Sequence, residues 1–187
     1  MTGRFTRLAE LSVHGANVQE GQIVLVGAEI ALEEQARAAV EAAYKRGAKF
    51  VDVAYFDPYV KRVRIENADP DTLGFVPQWY GERVLEHAEQ NGARINLRGV
   101  TAPNLMDGLD KSLLGKDTLP SVKETFKVID ERSTNWCFVP APHPAWNSPD
   151  RVSAHYASTT TAAASPRQRG RWRGTRRPPL RSANGAF

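Results

Sequence analysis

Two joints in this sequence constrain its fold more than any other feature. The phrase "RGAKFVDV", starting at Arg46, is echoed by "NGARINLR", starting at Asn91, 45 positions later. In each, a glycine follows a helical stretch, and Ala plus a basic residue lead into a strand-like run. Helices feeding strands in repeated units predict a parallel sheet covered by helices, not a solenoid. The continuous apolar run "IVLVGA", Ile23 to Ala28, is the buried type of strand such a sheet needs.

The rest of the body fills in around these joints. Phe5, Leu8, Ala9 and Leu11 predict a short amphipathic opening helix. Leu32, Ala36, Ala39, Val40, Ala43 and Tyr44 mark a second, with Glu29, Glu33 and Glu34 in or before its first turn and Gly47 as its stop. Residues 48–56 are the next strand. Asp57 and Pro58 read as N-cap and first residue of a short helix carrying Tyr59, Val60 and Val63. A helix from Gln78 to Gln90 presents Tyr80, Val84, Leu85 and Ala88, and residues 93–100 form a third strand. Ser121 to Arg132 is a further helix, and "NWCFVPAP" a fourth strand. The expected fold class is α/β: an open, mostly parallel sheet with helices on both faces, a three-layer sandwich. It occupies residues 1–147, with a disordered Arg/Pro/Ala-rich tail over 148–187.

Charge divides at nearly the same place. The 187 residues carry a formal net charge of +4. Residues 1–150 hold 17 Lys and Arg against 21 Asp and Glu, and residues 151–187 hold eight Arg and no acid. The basic character therefore belongs to the tail and is no argument that the body binds nucleic acid or membrane. The single cysteine, Cys137, excludes an intrachain disulfide and fits a reducing cytoplasm. With no signal-peptide or membrane-length apolar run, the chain reads as soluble and cytoplasmic.

Candidate sites are sparse. A dinucleotide loop needs several glycines after the first strand, but only Gly27 is present, and Glu29, Glu33 and Glu34 crowd the place of an anion. Asp52, inside a strand, needs a partner; an edge or partner-bonded aspartate is the simpler reading than a catalytic one. Cys137 and His143 invite a thiol mechanism, yet nothing orients the histidine, and an inert, buried cysteine is preferred. His14, His87 and His155 read as solvent-facing or loop residues, and one Cys with four scattered His gives no metal-ligand spacing. No catalytic, cofactor-binding or metal-ligating residue is assigned. In the tail, "RQRGRWRGTRR" combines Arg for phosphates with a Trp for stacking, so nucleic acid, if bound at all, is expected there.

Four phrases together resemble one family: "GANVQEGQIVLVGAEI", "AAYKRGAKFVDVAYFDPYVKRVRIENA", "VPQWYGERVLEHAEQNGARINLRG" and "STNWCFVPAPHPAW". They are similar to the N-terminal region of thermophilic-type metallo-aminopeptidases, the aminopeptidase T and aminopeptidase S family. The likeness runs from about Phe5 to Trp146, with "FDPYVKR" and "TNWC" its sharpest pieces. It implies a cytoplasmic homodimer that hydrolyses N-terminal residues from peptides, using two divalent metal ions such as zinc or cobalt to activate water. The family's metal ligands lie in its second domain, so the resemblance places none here and implies a chain inactive alone. The tail after Trp146, acid-free from Arg151 onward, then reads as a shifted reading frame in a GC-rich gene, or as a natural disordered segment. Translating the other frames downstream of the Trp146 codon separates the two.

Overall fold

The computed structural model describes residues 3–147, and the expected tail lies outside them. The chain opens with α1 (Thr6–Gly15), β1 (Ile23–Glu29) and, after one 3-10 turn, α2 (Glu33–Lys45) and β2 (Phe50–Phe56). Then come α3 (Pro58–Asn67), α4 (Gln78–Glu89) and β3 (Ala93–Arg98). α5 (Lys111–Lys116), α6 (Lys123–Asp130) and β4 (Asn135–Pro140) follow, and a 3-10 turn at Pro144–Asn147 closes the described residues.

All strand pairs are parallel, in the order β2-β1-β3-β4. The chain leaves β1 for β2 on one side, then returns to place β3 on the other. With crossovers of one hand, such a reversal sends the connecting helices to opposite faces of the sheet. The packing agrees. Val24, Val26, Ile95 and Val139 point to one face, where they meet Ala36, Ala39 and Ala43 of α2 and Val13 of α1. On the other face, Val84 and Ala88 of α4 pack against Val122 and Val128 around α6. The sandwich therefore has three layers. No helix among the described residues is long and apolar enough to cross a membrane.

The two joints resolve into one device used in slightly different registers. After α2, Gly47 takes the left-handed conformation at φ +92°, and Ala48 N–H donates to Ala43 O at 3.0 Å. After α4 the left-handed residue is Asn91, at φ 54°, and Gly92 donates to His87 O at 3.0 Å. Gly92 is needed for a different reason: a Cβ there would stand 2.3 Å from His87 Nε2.

Two expectations about faces need correcting. Leu11 and Tyr44 are exposed, and α1 buries Ala9, Ser12 and Val13 instead. Tyr44 has another task at the sheet edge, where its hydroxyl accepts the Val51 N–H at 3.2 Å. Tyr59, Val60 and Val63 are also exposed, and Ile65 is the buried residue of α3. As expected, Glu29 lies before α2, at the end of β1, and Glu33 and Glu34 occupy the first turn of α2.

Candidate functional site

The sheet's order reverses between β1 and β3, and a crevice opens beside the carboxyl ends of these strands. Open parallel sheets place ligands at such switch points, because the flanking loops diverge there. The crevice has a volume of about 310 Å³ and lies on the α4/α6 face. Its floor comes from β3, where side chains alternate strictly. Ala93, Ile95 and Leu97 enter the core, while Arg94, Asn96 and Arg98 face the crevice. Gly27 faces Asn96 across the pair, and a Cβ at Gly27 would come within 3.0 Å of Asn96 Oδ1. Gly27 is thus a clearance residue inside β1, not part of a phosphate-binding turn.

The crevice is cationic, with Lys61, Arg83, Arg94 and Arg98 in its lining. Lys61 Nζ donates to the carbonyls of Asp117 (3.0 Å) and Leu119 (2.6 Å), and burial lowers its pKa. Arg83 pairs with Asp52, which answers the question of that strand carboxylate: it is partner-bonded on the edge strand. Arg98 lies over the Phe138 ring at 5.3 Å. Arg94 is different. It is only 8% exposed, and among the described residues it has no acidic partner and its buried Nη1 makes no hydrogen bond. Burial, and secondarily the charge of Arg98, push its pKa down. Glu29 is the carboxylate in the lining, and its Oε2 accepts the Thr101 hydroxyl.

Other residues singled out in the sequence fall elsewhere. Cys137 is half-buried against α1, where a Cβ on Gly15 would lie 3.0 Å from its Sγ. Burial raises its thiol pKa, so the reactive thiolate is disfavoured. His143 Nδ1 accepts the Ala145 N–H at 3.2 Å and makes no bond to Cys137. His87 is buried, against the expectation of a solvent-facing residue, because it follows Val84 by one helical turn on the inward side of α4. His155 lies outside the described residues.

The cationic floor was missed in the sequence, although "ARINLR" carried a signal. A central strand should be apolar on both faces, and this one alternates apolar with polar residues. The two sharp motifs prove to be structural fasteners. In "FDPYVKR", Asp57 caps α3, and Lys61 and Arg62 hold carbonyls of the segment after β3. In "TNWC", Asn135 Nδ2 reaches Asn17 O at 3.3 Å, and Cys137 meets Gly15.

Topology and crevice define an open parallel α/β domain of the kind that places a ligand at its switch point. The chain belongs to the family described as thermophilic metalloprotease (M29), which matches residues 2–164. It is 32% identical over 144 residues to aminopeptidase T of Thermus thermophilus, covering 75% of this chain and 35% of that protein. Over 142 residues it is 30% identical to aminopeptidase AmpS of Bacillus subtilis, covering 74% of this chain and 34% of the relative. The solved wild-type AmpT from Thermus thermophilus superposes with a TM-score of 0.69 at 31% identity, over 76% of this chain and 36% of that one. The chain thus spans about a third of the length of the relatives it matches.

The donor set here does not fit the paired metal ions that the resemblance implies. Among the described residues, no group of three or more His, Cys, Asp or Glu side chains gathers. The charged groups in the crevice's lining are mostly cations, four against the one carboxylate of Glu29, and they repel a divalent ion.

Proposed function

We propose that this α/β domain is the N-terminal part of a metal-dependent aminopeptidase acting on peptides. In this reading the 187-residue chain does not turn over peptides by itself. The observation that carries it is the family match over residues 2–164, joined to a shared fold at 31% identity. Peptide hydrolysis by such an enzyme draws on two divalent ions, and the residues described here supply no cage of oxygen and nitrogen donors for them. No catalytic step is therefore assigned to these side chains. Their contribution is a folded platform for the catalytic part, working as a cytoplasmic homodimer.

Two assays test the reading. The purified chain, given leucine p-nitroanilide with zinc or cobalt, should show no turnover above buffer, while Thermus thermophilus aminopeptidase T does. Metal-dependent turnover by the chain at a rate near the relative's refutes the inactivity. In the second assay, residues 5–146 replace the matched stretch of aminopeptidase T. A folded chimera that keeps metal-dependent activity supports the platform role, and a folded but dead one counts against it.

A further inference from the structure

We propose that the crevice at the carboxyl ends of β1 and β3 binds a carboxylate, with Arg94 as its principal anchor and Asn96 and Arg98 completing the site. The inference concerns this domain's own ligand chemistry and does not depend on peptidase activity.

Arg94 carries the argument. A guanidinium removed from water without an anion is strongly destabilised, so folded proteins pair buried arginines. Here the side chain is nine-tenths buried, lines the crevice, and leaves Nη1 without a partner among the described residues. No ion pair to a described Asp or Glu relieves it, whereas Arg83, in the same lining, has Asp52. Arg98, two positions along the same strand face, adds a second positive charge that repels Arg94 when the crevice is empty. An entering anion removes both penalties at once.

Its class follows from the lining. Guanidinium groups present a planar fork of N–H donors that matches a carboxylate in two parallel hydrogen bonds. Asn96, given room by the missing side chain of Gly27, adds an amide donor on the same floor. The rest of the crevice offers apolar surface from Leu25, Tyr80, Val84 and Phe138, and its volume of about 310 Å³ suits a small organic body. Glu29, tied to Thr101, stands in the lining and opposes a second negative charge on the ligand. A monocarboxylate with an apolar body satisfies all of these terms better than inorganic phosphate.

The test is calorimetry on the full 187-residue chain with 3-phenylpropionate, its neutral amide, the tripeptide Ala-Ala-Phe, that peptide's C-terminal amide, and inorganic phosphate. At least one of the two acids should bind, and its amide should not. Tighter binding by the tripeptide acid identifies a peptide C-terminus as the source of the carboxylate; tighter binding by 3-phenylpropionate identifies a free organic acid. Arg94→Met should weaken the acid about tenfold or more, the loss expected for charge-assisted hydrogen bonds. Because it deletes an unpaired buried charge, the variant should also melt no lower than the parent. Arg98→Gln, at a more exposed position, should weaken binding by a smaller factor and keep the parent's melting temperature. The proposal is overturned if neither acid binds, if an amide binds as well as its acid, if phosphate binds as tightly, or if folded Arg94→Met retains full affinity.

Discussion

At the scale of the residue, His87 couples stability to pH. It is buried on the inward side of α4, and among the described residues neither ring nitrogen finds a well-formed hydrogen bond. Burial first, then the positive charge of Arg94, hold its pKa down to about 4, with the backbone at Ile23 and then Asp52 opposing. The unfolded chain, with a histidine pKa near 6.5, takes up a proton that the folded state refuses. The contribution is therefore fully favourable above pH 6.5, erodes as the pH falls, and is lost below about pH 4. The loss is on the order of 1–3 kcal/mol. Urea denaturation across that window should show the parent losing stability faster than His87→Gln. Parallel curves would assign the acid sensitivity to other groups. The burial was readable in part, since His87 follows Val84 at helical spacing. What the spacing could not show is that Gly92 leaves the space into which the ring fits.

At the scale of the element, α3 separates what local chemistry settles from what it does not. Asp57 Oδ1 accepts the Tyr59 N–H at 2.8 Å and Pro58 occupies the first helical position, as the Asp-Pro pair predicts. Removing the cap in Asp57→Ala should cost about 1 kcal/mol and speed amide exchange at Tyr59. An unchanged denaturation midpoint with unchanged exchange would mean that tertiary contacts alone hold the helix start. Its apolar residues misled because apolar packing is not what anchors α3. Lys61, Arg62 and Arg64 bind carbonyls at Leu119, Leu105, Leu73 and elsewhere, leaving Tyr59, Val60 and Val63 on the surface. Such side-chain-to-carbonyl links span long stretches of sequence, so no local period reports them.

At the scale of the whole molecule, β3 joins the layers. Ile95 is fully buried, pairs with Val26 on one side and Cys137 on the other, and belongs to the main core. Ile95→Ala should destabilise the domain by about 2–5 kcal/mol, the usual cost of a cavity in a tightly packed interior. Its urea midpoint should fall with an unchanged slope; a second, separate transition would show that the layers unfold independently.

The same strand shows how far the sequence reached. Hydrophobic runs, helical spacing, the Asp-Pro cap and the two helix-to-strand joints determined a parallel α/β sandwich, because each is a short-range preference of neighbouring residues. The strand order β2-β1-β3-β4 was decided only in three dimensions, and with it the crevice that gathers Lys61, Arg83, Arg94 and Arg98. Those four cations come from three elements, and which of them meet depends on the direction of each crossover and the register of each pair. Both are set by the burial of the whole core, a quantity that no single segment carries.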